Sequence, residues 1–375
     1  MKTRAAVIRE MAKPRPYQKS RPLEIEEIEL SAPGRGEVLV RIRAAGLCHS
    51  DLSTINGDRP RPLPMVLGHE AAGEVVEVGE GVENLSPGEH VVFSFAPSCG
   101  GCAFCLSGQA SLCQPGAAAN TAGHLLGGGM RLSRGEEKLY HHIGVSGFAE
   151  YAVASRRSLT RIDPELPLHI AALFGCAVLT GVGAVVHTGA LQLGQSVLVV
   201  GLGGVGLAAV LGAVGGGARQ VIAADIDDDK LAAAKAMGAT HTVNSGAEDA
   251  LEKVRDLSGG GVDLAAEFAG VAPALAFAFD ATARGGTTVT AGLPHPDVRL
   301  AISPTRLVAE QRTLKGSYLG GHVPSLDVPG YIALYQSGRL PVDRLLTHRL
   351  RLDEINEGFD RLADGKAIRQ VIEFD

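Results

Sequence analysis

The spacing of hydrophobic and polar residues changes twice along the 375-residue chain. Up to about residue 90, short runs of alternating apolar and polar positions are separated by Gly and Pro, which is typical of an all-β, barrel-like unit. The strands predicted there lie within residues 36–47, 71–82 and 89–95. From 97 to 144 the periodicity is lost. This predicts a long lobe or loop that either has a function or is held in place by another group.

A different pattern begins near residue 178, where strand-like and helix-like segments alternate. Strands are predicted at 195–201 and 220–226, helices at 205–215 and 229–238, and further strands in HTVNS, VDLAAEFAG and GGTTVTAGL. Such alternation predicts an α/β fold with a doubly wound parallel sheet. We expect the tail beyond about residue 320 to rejoin the first domain.

Composition and charge narrow the class of protein. With 45% hydrophobic and 20% charged residues the chain is a globular protein, and a net charge of −6 gives no basis for a nucleic-acid partner. The N-terminus has no apolar run of signal-peptide length, and glycines interrupt the longest apolar window, 170–187, so we expect no membrane span. We therefore expect a cytoplasmic location, where clustered cysteines more often hold a metal than form disulfides.

Four of the six cysteines, Cys99, Cys102, Cys105 and Cys113, lie in one short segment. Four thiolates at this spacing can surround one Zn²⁺, and a closed tetrahedral site leaves no position for a substrate. The glycines between them permit tight turns and expose N–H groups to the sulfurs. The spacing predicts a structural zinc site, with an iron–sulfur cluster or disulfides as the alternatives.

The other two cysteines, Cys48 and Cys176, are isolated, and a lone buried cysteine is often only a small hydrophobic residue. However, His69 directly follows a strand-like run, and Asp51 lies three residues past Cys48. Two thiolates and a neutral imidazole balance the charge of Zn²⁺ and leave a fourth position open, which is the catalytic arrangement. A carboxylate such as Asp51 can hold the His69 ring in the required tautomer.

Residues 201–206, GLGGVG, match the dinucleotide-binding pattern G-x-G-x-x-G. The loop follows a predicted strand and opens a predicted helix, and Asp225 ends the next strand, which is the context that gives the pattern its meaning. Asp225 would bind the adenosine ribose, and the acidic residues 227–229 would repel a 2′-phosphate, which favours NAD over NADP. A glycine-rich turn without a nucleotide is the alternative. The loop residues are Gly201, Leu202, Gly203, Gly204, Val205 and Gly206.

Together these motifs resemble the zinc-dependent medium-chain alcohol dehydrogenases, in the liver-type and glutathione-dependent formaldehyde dehydrogenase branch. The resemblance covers essentially the whole chain and includes GLCHSD, GHEAAGEVVEVGEGV, GCAVLTGVGA, RTLKGS and IRQVIEF. It implies a β-rich, GroES-like catalytic domain at 1–177 and 320–375, with the structural-zinc lobe at 97–115. It also implies a Rossmann domain at 178–319, with the active site in the cleft between the two domains.

The same resemblance implies roles for individual residues. Cys48, His69 and Cys176 would hold a catalytic zinc, Glu70 would be a carboxylate able to approach it, and Ser50 would take the substrate proton. With the four-cysteine lobe, the chain would bind two Zn²⁺. The remaining implied contacts are His49 and Arg369 with the cofactor pyrophosphate, Lys230 with the ribose, Thr180 and Val205 with the nicotinamide, and Phe95 with the alcohol.

Some positions depart from the family pattern. Ser53 stands where liver-type relatives end the proton relay in a histidine, and residues 114–117 lack the arginine that grips a thiol adduct in the glutathione-dependent branch. The long segment between Ala117 and Tyr140 favours a homodimer, with a homotetramer as the alternative. We interpret the adjacent His141 and His142 as solvated loop residues.

The function predicted from the sequence is reversible hydride transfer between NAD and a primary aromatic or medium-chain alcohol, a small-molecule substrate. One alternative is a dehydrogenase of S-(hydroxymethyl)thiols formed from formaldehyde. The other is a non-catalytic NAD-binding protein on the same fold, since this architecture does not require the chemistry.

Overall fold

The structure is a computed structural model that describes residues 1–375. Its strands are β1 (Lys2–Ile8), β2 (Leu23–Leu30), β3 (Glu37–Leu47), β4 (Met65–Val66), β5 (Ala71–Val78), β6 (His90–Phe93), β7 (Leu132–Arg134), β8 (Glu137–His141), β9 (Tyr151–Ser155), β10 (Leu159–Arg161), β11 (Ser196–Val200), β12 (Gln220–Asp225), β13 (His241–Asn244), β14 (Val262–Glu267), β15 (Thr282–Thr290), β16 (Thr313–Gly316), β17 (Leu346–Leu350) and β18 (Arg369–Glu373).

The helices are α1 (Tyr17–Ser20), α2 (His49–Ile55), α3 (Ala103–Leu106), α4 (Gln114–Ala122), α5 (Leu168–Ala171), α6 (Ala177–Gly183), α7 (Gly204–Gly215), α8 (Asp228–Ala236), α9 (Ala250–Ser258), α10 (Ala272–Ala281), α11 (Pro304–Ala309), α12 (Pro324–Gln336) and α13 (Ile355–Ala363). The chain divides into two compact units. The first contains 1–176, 323–332 and 346–375, and the second contains 177–322 and 333–345.

The first unit is built mainly from antiparallel β-structure. Strands β1, β2, β7, β8 and β4 form a closed barrel, and a second sheet has the order β10-β6-β5-β3-β18-β17, with β9 also paired to β3. Strand β2 shows how the sequence sets this arrangement, because Leu23, Ile28 and Leu30 lie in the core while most of its Glu side chains face outward. Closure of the barrel removes the unpaired edges that an open sheet would expose.

The second unit has one six-stranded parallel sheet in the order β13-β12-β11-β14-β15-β16. Strand β11 consists of Ser196 and the apolar run VLVV and is buried throughout, as expected for the centre of a sheet covered on both faces. The strand order reverses direction between β11 and β14. In folds of this kind, ligands bind beyond the carboxyl ends of the strands at that reversal.

Two parts of the sequence-based organisation differ from the structure. Residues 333–345, predicted to belong with the first domain, lie in the second unit. Their apolar side chains Leu340, Val342 and Leu345 are fully buried, and Arg344 donates a hydrogen bond to the carbonyl of Ala236. The segment 97–144, predicted to lack periodic structure, contains two helices and the β7–β8 hairpin of the barrel.

No single helix is both long and apolar enough to cross a membrane. Two consecutive helical segments, Leu168–Gly175 and Ala177–Thr188, reach the required length and composition only as a pair bent by 49°.

Candidate active site and metal centres

Three side chains from distant parts of the first unit meet in one buried group. Cys48 follows strand β3 as the N-cap of α2, His69 lies between β4 and β5, and Cys176 precedes α6. Their ligand atoms all lie within 4.8 Å of one another. Cys176 Sγ lies 3.5 Å from His69 Nε2, although the two residues are 107 positions apart. The fold therefore assembles the thiol, thiol and imidazole set that the sequence indicated only indirectly.

The backbone before His69 explains one of the glycines in this group. Gly68 has a φ of +93°, and a Cβ there would lie 2.5 Å from the backbone nitrogen of Phe148. A side chain at this position would be both strained and obstructed. Glycine at 68 is therefore required for the turn that directs His69 inward.

Asp51 is not one of the three candidate ligands but hydrogen-bonds to residues that position them. Its Oδ1 lies 3.0 Å from His69 Nδ1 and accepts the N–H of Gly68, while its Oδ2 accepts the N–H of Cys48 at 3.2 Å. The side chain is completely buried. A carboxylate at Nδ1 fixes the tautomer that leaves the Nε2 lone pair free for a metal ion.

Charge interactions among these buried groups shift their pKa values strongly. A hydrogen bond from the thiol of Cys176 holds the pKa of Cys48 well below its usual range, and the neighbouring His69 adds to the effect. That hydrogen bond and burial raise the pKa of Cys176. The pKa of His69 is raised, because Asp51 and Cys48 outweigh the effect of burial. In the metal-free group these shifts favour a thiolate at Cys48 beside a protonated His69.

Glu70 and Arg369 form a buried ion pair beside the group. Burial raises the pKa of Glu70 to about 7, against the opposing effect of Arg369. Glu70 Oε1 and Arg369 Nε have no hydrogen-bond partner. Arg369, predicted to contact the cofactor pyrophosphate, is engaged with Glu70 in this structure.

The four cysteines of the 97–115 lobe form a second group, and their sulfur atoms also lie within 4.8 Å of one another. Backbone N–H groups point at the sulfurs: Gly101 and Cys102 donate to Cys99 Sγ, and Cys99 and Gly116 donate to Cys113 Sγ. These donors stabilise thiolates, as the glycines predicted. All six cysteines of the chain are free thiols, so the structure contains none of the disulfides that were an alternative for the lobe.

The GLGGVG segment forms the turn between β11 and α7 in the second unit. A Cβ on Gly206 would lie 1.8 Å from the carbonyl oxygen of Gly201, whereas one on Gly203 would meet no atom within 4 Å. Asp225 ends β12, and its carboxylate accepts the N–H of Leu202 at 2.6 Å and the N–H of Asp227. The lack of room for a side chain at Gly206 and the open space at Gly203 are typical of a turn that binds a phosphate group.

The remaining predicted site residues lie at the following places. Ser50 is half-buried in the first turn of α2, where His49 is exposed, and the Ser53 hydroxyl donates to the carbonyl of His49 at 2.8 Å. The ring of Phe95 meets that of His69 edge to face at 5.3 Å. In the second unit, Thr180 is half-buried in α6, Val205 in α7 and Lys230 in α8.

The interpretation of His141 and His142 as solvated residues is wrong, because each is only 1% exposed. His142 Nδ1 lies 3.3 Å from Asp51 Oδ1, and its ring is 5.6 Å from the ring of His69. The burial could not be predicted because the residues around the pair are typical of an exposed loop. The apolar residues that precede and follow the pair are the only signal that could have indicated it.

Comparisons with known proteins agree with this site. Residues 34–164 match the alcohol dehydrogenase GroES-like domain family, and residues 204–337 match the zinc-binding dehydrogenase family. An NDMA-dependent alcohol dehydrogenase of Amycolatopsis methanolica is 40% identical over 99% of both chains. An S-(hydroxymethyl)glutathione dehydrogenase of Synechocystis is 39% identical over 100% of both chains.

Solved structures show the same relationship. An alcohol dehydrogenase zinc-binding domain protein from Burkholderia ambifaria has a TM-score of 0.94 at 35% identity, and the match covers 100% of this chain and 99% of that chain. Benzyl alcohol dehydrogenase from Acinetobacter calcoaceticus has a TM-score of 0.93 at 30% identity over 100% of both chains.

The chain belongs to the zinc-dependent medium-chain alcohol dehydrogenases, of the type that includes the glutathione-dependent formaldehyde dehydrogenases. It is an oxidoreductase that acts on the CH–OH group. The predicted fold class, a GroES-like domain with a Rossmann domain, is confirmed. Zinc and NAD, the predicted cofactors, are those typical of this family.

Proposed function

We propose that this enzyme transfers a hydride between NAD and primary alcohols of aromatic or medium-chain type, and that its catalytic zinc is held by Cys48, His69 and Cys176. The observation that carries the proposal is the convergence of these three ligand atoms within 4.8 Å in a buried group. No fourth Cys, His, Asp or Glu completes the set, which suits a catalytic rather than a structural ion.

The residues present fit a zinc ion. Two thiols and an imidazole match its preferred ligands, Asp51 fixes the tautomer of the imidazole, and the unpartnered Oε1 of Glu70 supplies a nearby carboxylate oxygen. When bound, zinc lowers the pKa of an alcohol hydroxyl and polarises an aldehyde carbonyl. The four lobe cysteines suit a second, structural zinc, because their own sulfurs fill every tetrahedral position.

Ser50 is the residue that we assign to the substrate proton. It lies two residues past Cys48 in the first turn of α2 and is half-buried. Ser53 does not extend a relay, because its hydroxyl is committed to the carbonyl of His49. We therefore expect the proton to pass from Ser50 to water.

The turn at residues 201–206 is the site that we assign to the cofactor pyrophosphate. Its fit rests on the space above Gly203 and on the N-terminus of α7, whose N–H groups favour an anion. Asp225 is placed at the end of β12, where an acidic residue accepts hydrogen bonds from the ribose. Asp227, Asp228 and Asp229 add negative charge that disfavours NADP. Asp225→Ser should therefore reduce the preference for NAD over NADP, measured as the ratio of kcat/KM values.

The class of alcohol is inferred from the side chains nearest the proposed zinc. Phe95 presents its ring to His69, which suits stacking against an aromatic or apolar substrate. Helix α4, whose Asn120 donates a hydrogen bond to the carbonyl of Phe95, begins QPGAAAN, and we expect its small side chains to permit a larger alcohol. The relative from Acinetobacter calcoaceticus is named a benzyl alcohol dehydrogenase, which supports the aromatic class.

The direct test incubates zinc-replete enzyme with NAD⁺ and a panel of primary aliphatic and aromatic alcohols, with NADH absorbance as the readout. We expect reduction of NAD⁺ with the aromatic or medium-chain members and a higher kcat/KM for them than for ethanol. Absence of NADH with every alcohol would refute the proposal. We also propose a homodimer, supported by the long 117–140 segment and testable by light scattering.

A second candidate is the oxidation of S-(hydroxymethyl)thiols. It is favoured by full-length relatives at 39% identity that are named S-(hydroxymethyl)glutathione dehydrogenases. Against it, residues 114–117 read Gln-Pro-Gly-Ala and offer no cation to a thiol adduct. Formaldehyde-dependent NADH formation that requires added glutathione or another low-molecular-weight thiol would establish this activity.

A further inference from the structure

The two adjacent buried histidines face different parts of the first unit. His141 ends β8, and its Nε2 accepts the N–H of Arg131. Its side chain therefore stabilises the β7–β8 region of the barrel. His142 follows directly, and its side chain lies against Asp51 and His69. The pair therefore offers two side chains of identical chemistry and burial, only one of which contacts the proposed metal site.

The contact between His142 and Asp51 is specific. His142 Nδ1 lies 3.3 Å from the same carboxylate oxygen, Oδ1, that lies 3.0 Å from His69 Nδ1. His142 Nδ1 is buried and has no hydrogen-bond partner of good geometry, so Asp51 Oδ1 is the acceptor that it faces. The His142 backbone is itself anchored, since its N–H donates to Ser146 Oγ at 3.0 Å. One carboxylate oxygen thus faces two imidazoles from different segments.

The chemistry of this arrangement fixes the state of His142. A ring nitrogen that faces a carboxylate in a buried site must carry a proton, because two lone pairs would repel each other. Burial lowers the pKa of His142, against the opposing effect of Asp51. The ring of His142 also meets the ring of His69 nearly at a right angle, 80°, which limits how far His69 can rotate.

We propose that His142 is a positioning residue for the catalytic zinc: it holds Asp51, and through Asp51 and direct ring contact it holds His69 in the geometry that binds the metal. This inference rests on the proposed function, in that Cys48, His69 and Cys176 must be the zinc ligands. Groups that orient metal ligands contribute roughly 10–100-fold to metal affinity. His142 acts through Asp51 and His69 and does not bind the metal itself, so we expect it to contribute about 10-fold to zinc affinity.

The experiment measures zinc release from the holoenzyme into excess chelator with a chromogenic zinc indicator. The kinetic phase of zinc release that is absent in Cys48→Ser is assigned to the catalytic site. His142→Phe, which keeps a ring but removes the N–H, should accelerate that phase about 10-fold. His142→Asn places an amide N–H where Nδ1 stood and should restore the rate to within about 3-fold of the wild type.

His141→Phe is the matched control, because it removes an equally buried imidazole one residue away. It should lower the melting temperature without changing the catalytic release rate. If His142→Phe does not fold, His142→Gln, whose donor lies at the wrong distance, should give the same acceleration. The proposal would be overturned if His142→Phe or His142→Gln released the catalytic zinc at the wild-type rate. It would also be overturned if His141→Phe accelerated that release equally.

The outcomes also separate this inference from the one on which it rests. If Cys48→Ser removes no release phase, the proposed zinc site itself is wrong. If Cys48→Ser removes one phase and the His142 variants leave that phase unchanged, only the positioning role fails.

Discussion

The two cysteine groups of the first unit contrast in nearly every respect. The four lobe sulfurs come from one short segment, are partly exposed except at Cys113, and are bonded by backbone N–H groups. The three ligands of the other group come from distant segments and are buried, and a buried carboxylate orients the imidazole. The first group can form from local chain geometry, whereas the second requires the completed fold.

This contrast suggests different consequences for damage to each site. Loss of the lobe site should affect the local structure of a segment whose own apolar content is low. Loss of the dispersed site should leave a largely intact sheet and barrel without the group that performs the chemistry. Activity and stability should therefore respond differently to damage at the two sites.

The largest effect is expected from Cys176→Ser, which removes a ligand of the dispersed group. Because a catalytic zinc supplies several kcal/mol of transition-state stabilisation, kcat/KM for alcohol oxidation should fall about 10³-fold or more. Steady-state kinetics and thermal unfolding of the same preparation provide the measurement. A variant that retains a tenth of the wild-type activity would show that this group does not carry the reaction.

The next effect concerns the lobe. Cys105→Ser should lower the melting temperature by about 5–10 °C, because a metal that binds only the folded lobe contributes to folding free energy. Limited proteolysis should then cut within 97–115 before any other region. Should the melting temperature and the cleavage pattern match the wild type, the lobe would not hold a structural metal.

Asp51→Asn tests the support of the dispersed group without removing a ligand. The amide can present an N–H toward His69 Nδ1 and so disrupt the tautomer, which should weaken zinc binding at this site by roughly 10–100-fold. Competition with a chelator of known affinity measures the change. The lobe zinc should be unaffected, and an equal loss from both sites would contradict the distinction drawn between them.

The smallest effect sharpens the contrast in thiol chemistry. In zinc-free enzyme, the backbone N–H of Cys105 lowers the pKa of Cys102 to about 6, while burial raises that of Cys105 to about 12. The thiolate fraction of Cys102 therefore grows as the pH rises through 6. Iodoacetamide at pH 7 should label Cys102 at least about 10-fold faster than Cys105 or the buried Cys176, as measured by peptide mass spectrometry. Equal labelling would be inconsistent with this difference.

The same contrast explains how far the sequence could predict the molecule. The lobe and the GLGGVG turn are local, so spacing alone indicates both, and strands such as β11 and β12 follow from their apolar runs. Cys176 lies 107 residues from His69, and no local pattern joins them, so its role depended on the family resemblance. The sequence does not indicate the position of His142, because burial of a loop histidine depends on what packs over it. The placement of 333–345 depends in the same way on tertiary packing.

Metal analysis can decide whether one closed and one open zinc site coexist in this chain. Zinc per chain should be measured for the wild type, Cys48→Ser and Cys102→Ser, with alcohol oxidation assayed in parallel. We expect about two zinc ions in the wild type and about one in each variant, with oxidation abolished in Cys48→Ser. Two zinc ions in Cys48→Ser, or undiminished oxidation by that variant, would contradict the account.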